Sequence, residues 1–384
     1  MKKKIAIIST HPIQYNAPLF RQLAKSDEID IHVFYTWSQA QESVEDKSFS
    51  KKIVWDIPLL EGYEYSFIKN ISKYPKQHFK GLVNPDLIPA IEQWKADVVW
   101  VFGWNFQSHY QVMRYFKGKI PVWFRGDSTL LNTKNDLKGI IRYISLRWIY
   151  RFVDKAFYVG INNRNYFKKY GLKDSQLVLA PHAVDNARFG GENIELSSLI
   201  WRYELGFTKD EIIMVYAGKF IECKNLVSFV CQFNDYTLRY GQSKLRLLLI
   251  GSGSLEVKLK SIHNKNIHFL PFQNQSKMPM VYCVGDIFVL PSKSETWGLG
   301  INEAMASGRP VVVSKKVGCA VDLVEEGVNG FYFDLNNPLN NIRMFDKIEH
   351  CNLKTIGVNN QIKIKNWSFD KIVDAIEKTA YEKE

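Results

Sequence analysis

Short apolar runs alternate with amphipathic stretches of helical length along most of this chain, and they do so in two successive series. Strands that pair in parallel need a crossover between them, and a helix is the usual one. The first series places strands at residues 5–8, 31–35, 98–102, 121–124 and 156–159, with helices at 18–25, 85–94, 107–116 and 137–152. The second begins after Pro181-His182-Ala183 and places strands at 212–217, 245–250, 267–269, 287–290, 310–313 and 330–333. Its helices fall at 226–240, 255–262, 277–284, 300–307 and 321–326. The stretch 38–84 is polar and aromatic without clean periodicity, and reads as loops with at most a hairpin. The tail after Trp367-Ser368-Phe369 reads as an amphipathic helix opened by a serine cap.

This pattern predicts an α/β fold of two Rossmann-like, doubly wound domains, residues 1–182 and 183–365, with the tail at 366–384 able to pack on either. Ligands in such sheets bind beyond the carboxyl ends of the strands, so a cleft between the halves is the expected site. A length of 384 residues agrees, since it exceeds what one core usually serves. At 46% hydrophobic and 23% charged residues the chain is an ordinary globular protein, which excludes disordered, collagen-like and coiled-coil classes.

Lysine and arginine number 51 against 39 acids, a formal charge of +12. Nucleic acid, an anionic membrane face and phosphorylated small molecules all fit that surplus, and charge alone does not choose among them. No recognised nucleic-acid module accompanies it, which argues against nucleic acid. Five cysteines without a C-x-x-C pair suit reduced thiols in a cytosol. The start Met1-Lys2-Lys3-Lys4 imitates a signal peptide, but its apolar run stops at Ser9, too short for export. No stretch reaches the ~20 apolar residues that span a bilayer. A cytoplasmic protein is expected, soluble or peripheral to the inner face of the membrane.

The richest stretch runs from Ser294 to Gly308, between the strands at 287–290 and 310–313. Gly298 and Gly300 allow close backbone approach before a helix starts. A helix start offers unpaired N–H groups and a positive dipole end, which suit a diphosphate. Glu295 and Glu303, eight residues apart, can flank one ligand from different sides and accept hydroxyl donors. Either alone reads as a solvated surface group; in this strand, loop and helix setting the pair reads as functional. Upstream, Gly218-Lys219 and Lys224 follow a strand and offer fixed cations for a departing diphosphate. Gly251-Ser252-Gly253 closes another strand, a weak signal by itself. Phe272 offers a ring to a nucleobase, or serves equally as a core aromatic.

Taken in order, Gly218-Lys219 with Lys224, then Gly251-x-Gly253, then Glu295 and Glu303, then Gly308-x-Pro310-Val311-Val312, the series resembles the retaining glycosyltransferase family 4, whose fold is GT-B. The resemblance covers most of residues 178–335. It implies that Glu303 holds the donor ribose, Glu295 the hydroxyls of the transferred sugar, and Lys219 and Lys224 the diphosphate. Backbone N–H groups of Gly298, Leu299 and Gly300 would touch sugar or phosphate. The family commonly carries arginine where this chain has Lys219, so charge is kept and a bidentate grip is not. His182 would lie in the interdomain linker as a hinge.

The first half departs further from the resemblance. Relatives often have a glycine-rich loop after the first strand; this chain reads Ser9-Thr10-His11-Pro12-Ile13-Gln14. His11 and Gln14 still fall at a strand's carboxyl end and are candidates for acceptor-side contact, weighed against a structural histidine. Arg125 and Asp127 follow another strand and either shape the acceptor pocket or pair with each other. The basic and aromatic helix at 137–152 reads as a core helix for its apolar face, with membrane contact left open.

No D-x-D pair occurs, and the lysines can do a metal's electrostatic work, so metal-independent transfer without a cofactor is expected. The resemblance implies retention by same-face displacement. A nucleotide sugar, with UDP-sugars ahead of GDP-mannose, would glycosylate a glycan or lipid-linked acceptor in surface polysaccharide or glycolipid synthesis. The rivals are a nucleotide-sugar-binding protein without turnover and a GT-B-type sugar-nucleotide epimerase.

Overall fold

The computed structural model of the chain describes residues 2–38, 44–46, 51–53, 55–133 and 136–382. Residues 39–43, 47–50 and 54, within the stretch read as loops, lie outside them, as do the last two of the expected tail helix.

Two compact units form. The first comprises Met1–Val44, Ile57–His182 and Phe369–Glu384, and the second Glu45–Asp56 and Ala183–Ser368. The first unit is built on a seven-stranded parallel sheet. Its order runs Glu64–Phe67, Ile29–Tyr35, Lys3–Ser9, Val98–Phe102, Val122–Arg125, Lys155–Tyr158, Leu177–Leu179. Ile5, Ala6, Ile7 and Ile8 on the middle of this sheet are completely buried, because helices cover both faces and leave no polar side. The two strands that the sequence pattern does not reveal, Glu64–Phe67 and Leu177–Leu179, are the sheet's edges. An edge strand is half solvated and need not be apolar, as in Glu64–Phe67, while Leu177–Leu179 is apolar but only three residues long.

The second unit has a six-stranded parallel sheet in the order Ile267–Leu270, Leu245–Ser252, Ile212–Lys219, Ile287–Leu290, Val311–Ser314, Gly330–Phe333. All six match apolar runs legible in the sequence. The helices Glu192–Glu204, Pro338–His350 and Leu353–Ile364 are additions that the apolar pattern left unassigned. Two short strands, Val44–Asp46 and Lys51–Ile53, pair with each other. This segment groups with the second unit, where the backbone N–H of Ser276 donates to Asp56 at 3.0 Å.

The tail helix Phe369–Tyr381 belongs to the first unit although the chain reaches it from the second. Ile372 and Ile376 are its buried stripe, and Gln22 donates to Asp370 at 2.8 Å. No described helix is long and apolar enough to cross a membrane.

One expectation is overturned. The helix Leu137–Tyr150 buries Leu146, Ile149 and Tyr150, while Leu137, Ile140, Ile141, Ile144 and Trp148 are exposed. Its sequence is apolar on two opposite faces, and a helix lying on a sheet turns only one of them inward.

Candidate functional site

In the second sheet the strand order reverses between Ile212–Lys219 and Ile287–Leu290, which have crossovers leading in opposite directions. Beyond the carboxyl ends of such a pair the loops part and leave room for a ligand. The loop after Ile212–Lys219 carries Lys224 in a short turn, Glu222–Lys224, closed by Asn225 in the left-handed region at φ 58°. The loop after Ile287–Leu290 carries Glu295. The two loops are tied by the N–H of Lys293 donating to the Cys223 carbonyl at 2.8 Å. The Lys224 ammonium makes an ion pair with Glu295 Oε1, and both side chains are mostly buried.

Glu295 is held from behind. Its N–H donates to the Lys316 carbonyl at 3.2 Å, and its own carbonyl accepts from Gly318 N–H at 3.2 Å. A Cβ on Gly318 would stand 1.8 Å from the Thr296 carbonyl, so only glycine permits this approach. Burial pulls the Lys224 pKa below the usual lysine value; the neighbouring Cys223 opposes that shift and the Lys219 ammonium adds to it. An anion arriving here meets two cations that the fold has placed close together at a cost.

The helix Leu299–Ala306 starts at Gly298, whose φ of +99° suits glycine alone, and where a Cβ would crowd Val317 and Leu290. Trp297, buried, donates from Nε1 to Asn302 at 2.8 Å and fixes the helix start to its first turn. Glu303 lies inside, completely enclosed. Burial pushes its carboxyl pKa up to about 7, against the hydroxyl of Tyr282, which donates to Oε2 at 2.5 Å, and the charge of Arg188. A carboxyl poised near neutrality is an acceptor whose strength depends on what approaches it.

Gly218 and Gly251 are register partners at the ends of adjacent strands. A Cβ on Gly251 would stand 1.9 Å from the Gly218 carbonyl, and one on Gly253 2.6 Å from that of Phe220. The chain's own packing already demands both glycines. Between them Ser252 Oγ is buried with no hydrogen-bond partner among the described residues, an uncompensated group that a ligand oxygen would satisfy. Phe272 is half-buried in the loop after Ile267–Leu270.

The remaining candidates lie in the first unit. His11 follows the carboxyl end of Lys3–Ser9, where that sheet's order also reverses. Its Nδ1 is 3.0 Å from Thr10 Oγ1 and its ring meets Trp37 edge-on at 5.7 Å. Burial lowers its pKa. Gln14 is half-buried in the same loop. Arg125 is buried and donates to the carbonyls of Ala180 and Pro181 at 3.0 and 3.4 Å, so it anchors the segment where the first unit ends. Burial lowers its pKa to about 10, and the charge of Asp127 opposes the shift. His182 joins this group. Burial holds it at about 4, with Arg125 lowering it and Asp127 raising it.

Sequence reasoning missed Tyr282 and Arg188, the neighbours that set the charge on Glu303, and Ser252. Tyr282 sits in an apolar helical run, and the single-turn helix of Arg188 carries no sequence signal. It also missed His109, whose Nδ1–H donates to the Gly103 carbonyl at 2.9 Å while Nε2 lies 3.0 Å from Thr36 Oγ1. Buried and held at about 4, His109 ties strand ends together.

With this geometry in view, residues 198–363 match the family Glycosyl transferases group 1. The matched span contains the two tied loops, both glutamates and both lysines. The fold is GT-B, and the matched stretch of the second unit is similar to the group 1 glycosyl transferases. The chain is similar to an uncharacterized glycosyltransferase of Methanocaldococcus jannaschii, 26% identical over 189 residues, which make up 48% of this chain and 44% of that protein. A longer match reaches the D-inositol 3-phosphate glycosyltransferase of Nocardia farcinica, 24% identical over 85% of this chain and 77% of that one. Among solved structures, HepE of Anabaena in complex with UDP and glucose superposes on this chain with a TM-score of 0.69. That match is 16% identical and covers 98% of this chain and 99% of the other.

Proposed function

We propose that this chain is a glycosyltransferase of family 4 that moves a hexose with retention from a nucleotide sugar, a UDP-sugar by preference, to a glycan or lipid-linked acceptor in surface polysaccharide or glycolipid synthesis. The observation that carries the reading is the Lys224–Glu295 ion pair across the switch point. In the ligand-free protein each charge neutralises the other. A donor supplies better partners to both: diphosphate oxygens for Lys224 with Lys219, and sugar hydroxyls for Glu295. Glu303 accepts the ribose hydroxyls, and the first N–H groups of Leu299–Ala306, opened by Gly298 and continued by Gly300, face the phosphates.

The reaction breaks the bond between the anomeric carbon and the β-phosphate oxygen. Charge accumulates on that oxygen as the bond stretches, and fixed ammonium groups lower the barrier because they need no reorganisation. The acceptor oxygen attacks from the face that the phosphate leaves, and its proton passes to a phosphate oxygen, so configuration is kept and no enzyme carboxylate becomes bonded to sugar. His11, Gln14, Arg125 and Asp127 are assigned to the acceptor side, Arg125 through the segment it anchors. Gly251, Gly253 and Phe272 border the donor's nucleotide.

Lysine charge takes the place of a divalent ion, so transfer proceeds without metal. A thermal-shift screen against nucleotide sugars identifies the donor, which stabilises the folded state by mass action. With that donor, Lys224→Ala and Glu295→Ala are each expected to lower the transfer rate by about 100-fold or more with melting behaviour kept. Chelation is expected to leave the rate unchanged. Near-normal turnover in both variants removes the site assignment, and a rate restored only by manganese removes the metal-free mechanism.

A further inference from the structure

The exposed stripe on the helix Leu137–Tyr150 is a feature that the donor chemistry leaves unused. Leu137, Ile144 and Trp148 are 79, 64 and 54% exposed. At ~100° per residue they share one face with Ile140 and Ile141, opposite the buried Leu146, Ile149 and Tyr150. On the same spacing Lys138 lies along one flank of the stripe and Arg147 along the other, the following Arg151 falls within it, and Arg142 stands farther round; all four are exposed. No acidic residue occurs between Asp136 and Asp154.

A second element continues this surface. Phe79 packs on Tyr110 at 6.2 Å between ring centroids, and Trp148 Nε1 donates to the Tyr110 hydroxyl at 3.3 Å. The loop 71–80 that carries Phe79 also exposes Ile71 and Tyr74, the latter at 70%. These side chains are held outward by a folded loop. The side-chain amide of Asn70 donates to the Gly81 carbonyl at 3.0 Å and its oxygen accepts from Val83 N–H at 3.0 Å, closing the base. Ser72 Oγ donates to the Lys80 carbonyl at 2.7 Å across it. Lys73, Lys76 and Lys80 are exposed on the same loop, and no acid lies between Glu64 and Asp86.

We propose that this helix and loop form one docking face that seats the first unit on an anionic lipid surface. An apolar ridge with basic residues on both flanks and no acid within it matches a bilayer interface: rings and branched chains enter the acyl boundary while ammonium and guanidinium groups reach lipid phosphates. A second copy of the chain fits poorly, because two such faces would bring like charges together. The proposal does not rest on the donor chemistry. Glu295→Ala, expected to be inactive, is expected to bind lipid as the wild type does, so failure of one reading is distinguishable from failure of the other.

The test is co-sedimentation of the full chain with vesicles of phosphatidylcholine alone and of phosphatidylcholine with about one-third phosphatidylglycerol. Binding is expected to the anionic vesicles, weakening as salt is raised. Lys138→Gln with Arg147→Gln is expected to cost about 30-fold in partition, at ~1 kcal/mol per charge. Ile144→Glu is expected to cost more. Lys354→Gln with Lys365→Gln, exposed on the second unit, serves as the charge-matched control and is expected to change little. All these positions are exposed, so melting temperatures should match the wild type. Equal partition into neutral vesicles, no partition, or an equal loss in the control overturns the proposal. So does a dimer that Ile144→Glu converts to monomer without affecting lipid binding.

Discussion

The carboxyl of Glu303 gathers most of what can be tested at single residues. Its ordinary pKa of 4.5 is raised to about 7 by burial. Between these values the folded chain holds a proton that the unfolded chain has released, so stability falls as pH rises through that window. Thermal melting of the ligand-free protein is expected to drop by several degrees between about pH 5 and about pH 8. Glu303→Gln, which mimics the protonated form, should flatten that slope, melt higher than the wild type at the upper pH, and bind nucleotide more weakly. Tyr282 lowers the Glu303 pKa by donating to it. Tyr282→Phe should therefore move the midpoint of nucleotide affinity against pH upward, as isothermal titration at a series of pH values would show. The spacing of Glu295 and Glu303 was legible in the sequence; the charge state of Glu303 was not, because it depends on Tyr282 and Arg188, contributed by separate helices.

At the scale of elements, the apolar runs that mark parallel strands are readable because such strands are buried on both faces. All six strands of the second sheet fall on those runs, whereas the first sheet's edges escape. Gly251 and Gly253, a weak signal in the sequence, are points where backbone meets backbone. Gly251→Ala places a methyl group against the Gly218 carbonyl at φ +146°. It is expected to destabilise the chain by about 3 kcal/mol or more, measurable by urea denaturation with the slope unchanged. The helix Leu137–Tyr150 shows the opposite limit of periodicity. Its two apolar faces give no hint in the sequence of which one the sheet would take.

For the whole molecule, the tail helix Phe369–Tyr381 is the informative element. Chain order would attach it to the second unit, yet it packs in the first, with Gln22 bonded to Asp370, Tyr381 to the Glu28 carbonyl and Lys155 to Glu382. Ending the chain after Ser368 should expose the apolar surface that Ile372 and Ile376 cover. Hydrogen exchange is expected to accelerate in Ala17–Leu23 and Ile29–Tyr35 and to stay unchanged in Ile212–Lys219 and Ile287–Leu290. Acceleration confined to the second unit would contradict the packing described here.

By itself the sequence determined that the chain forms two parallel α/β sheets, and which acids, lysines and glycines cluster at the strand ends of the second. Those properties follow from burial and from neighbours along the chain, which periodicity and spacing record directly. Only the tertiary structure decided that Lys224 pairs with Glu295, that Tyr282 bonds to Glu303, that the tail joins the first unit, and that the basic helix turns an apolar face outward. Each of these is a contact, or the lack of one, between segments far apart in the chain. No local pattern encodes which of several equally apolar or charged surfaces will meet.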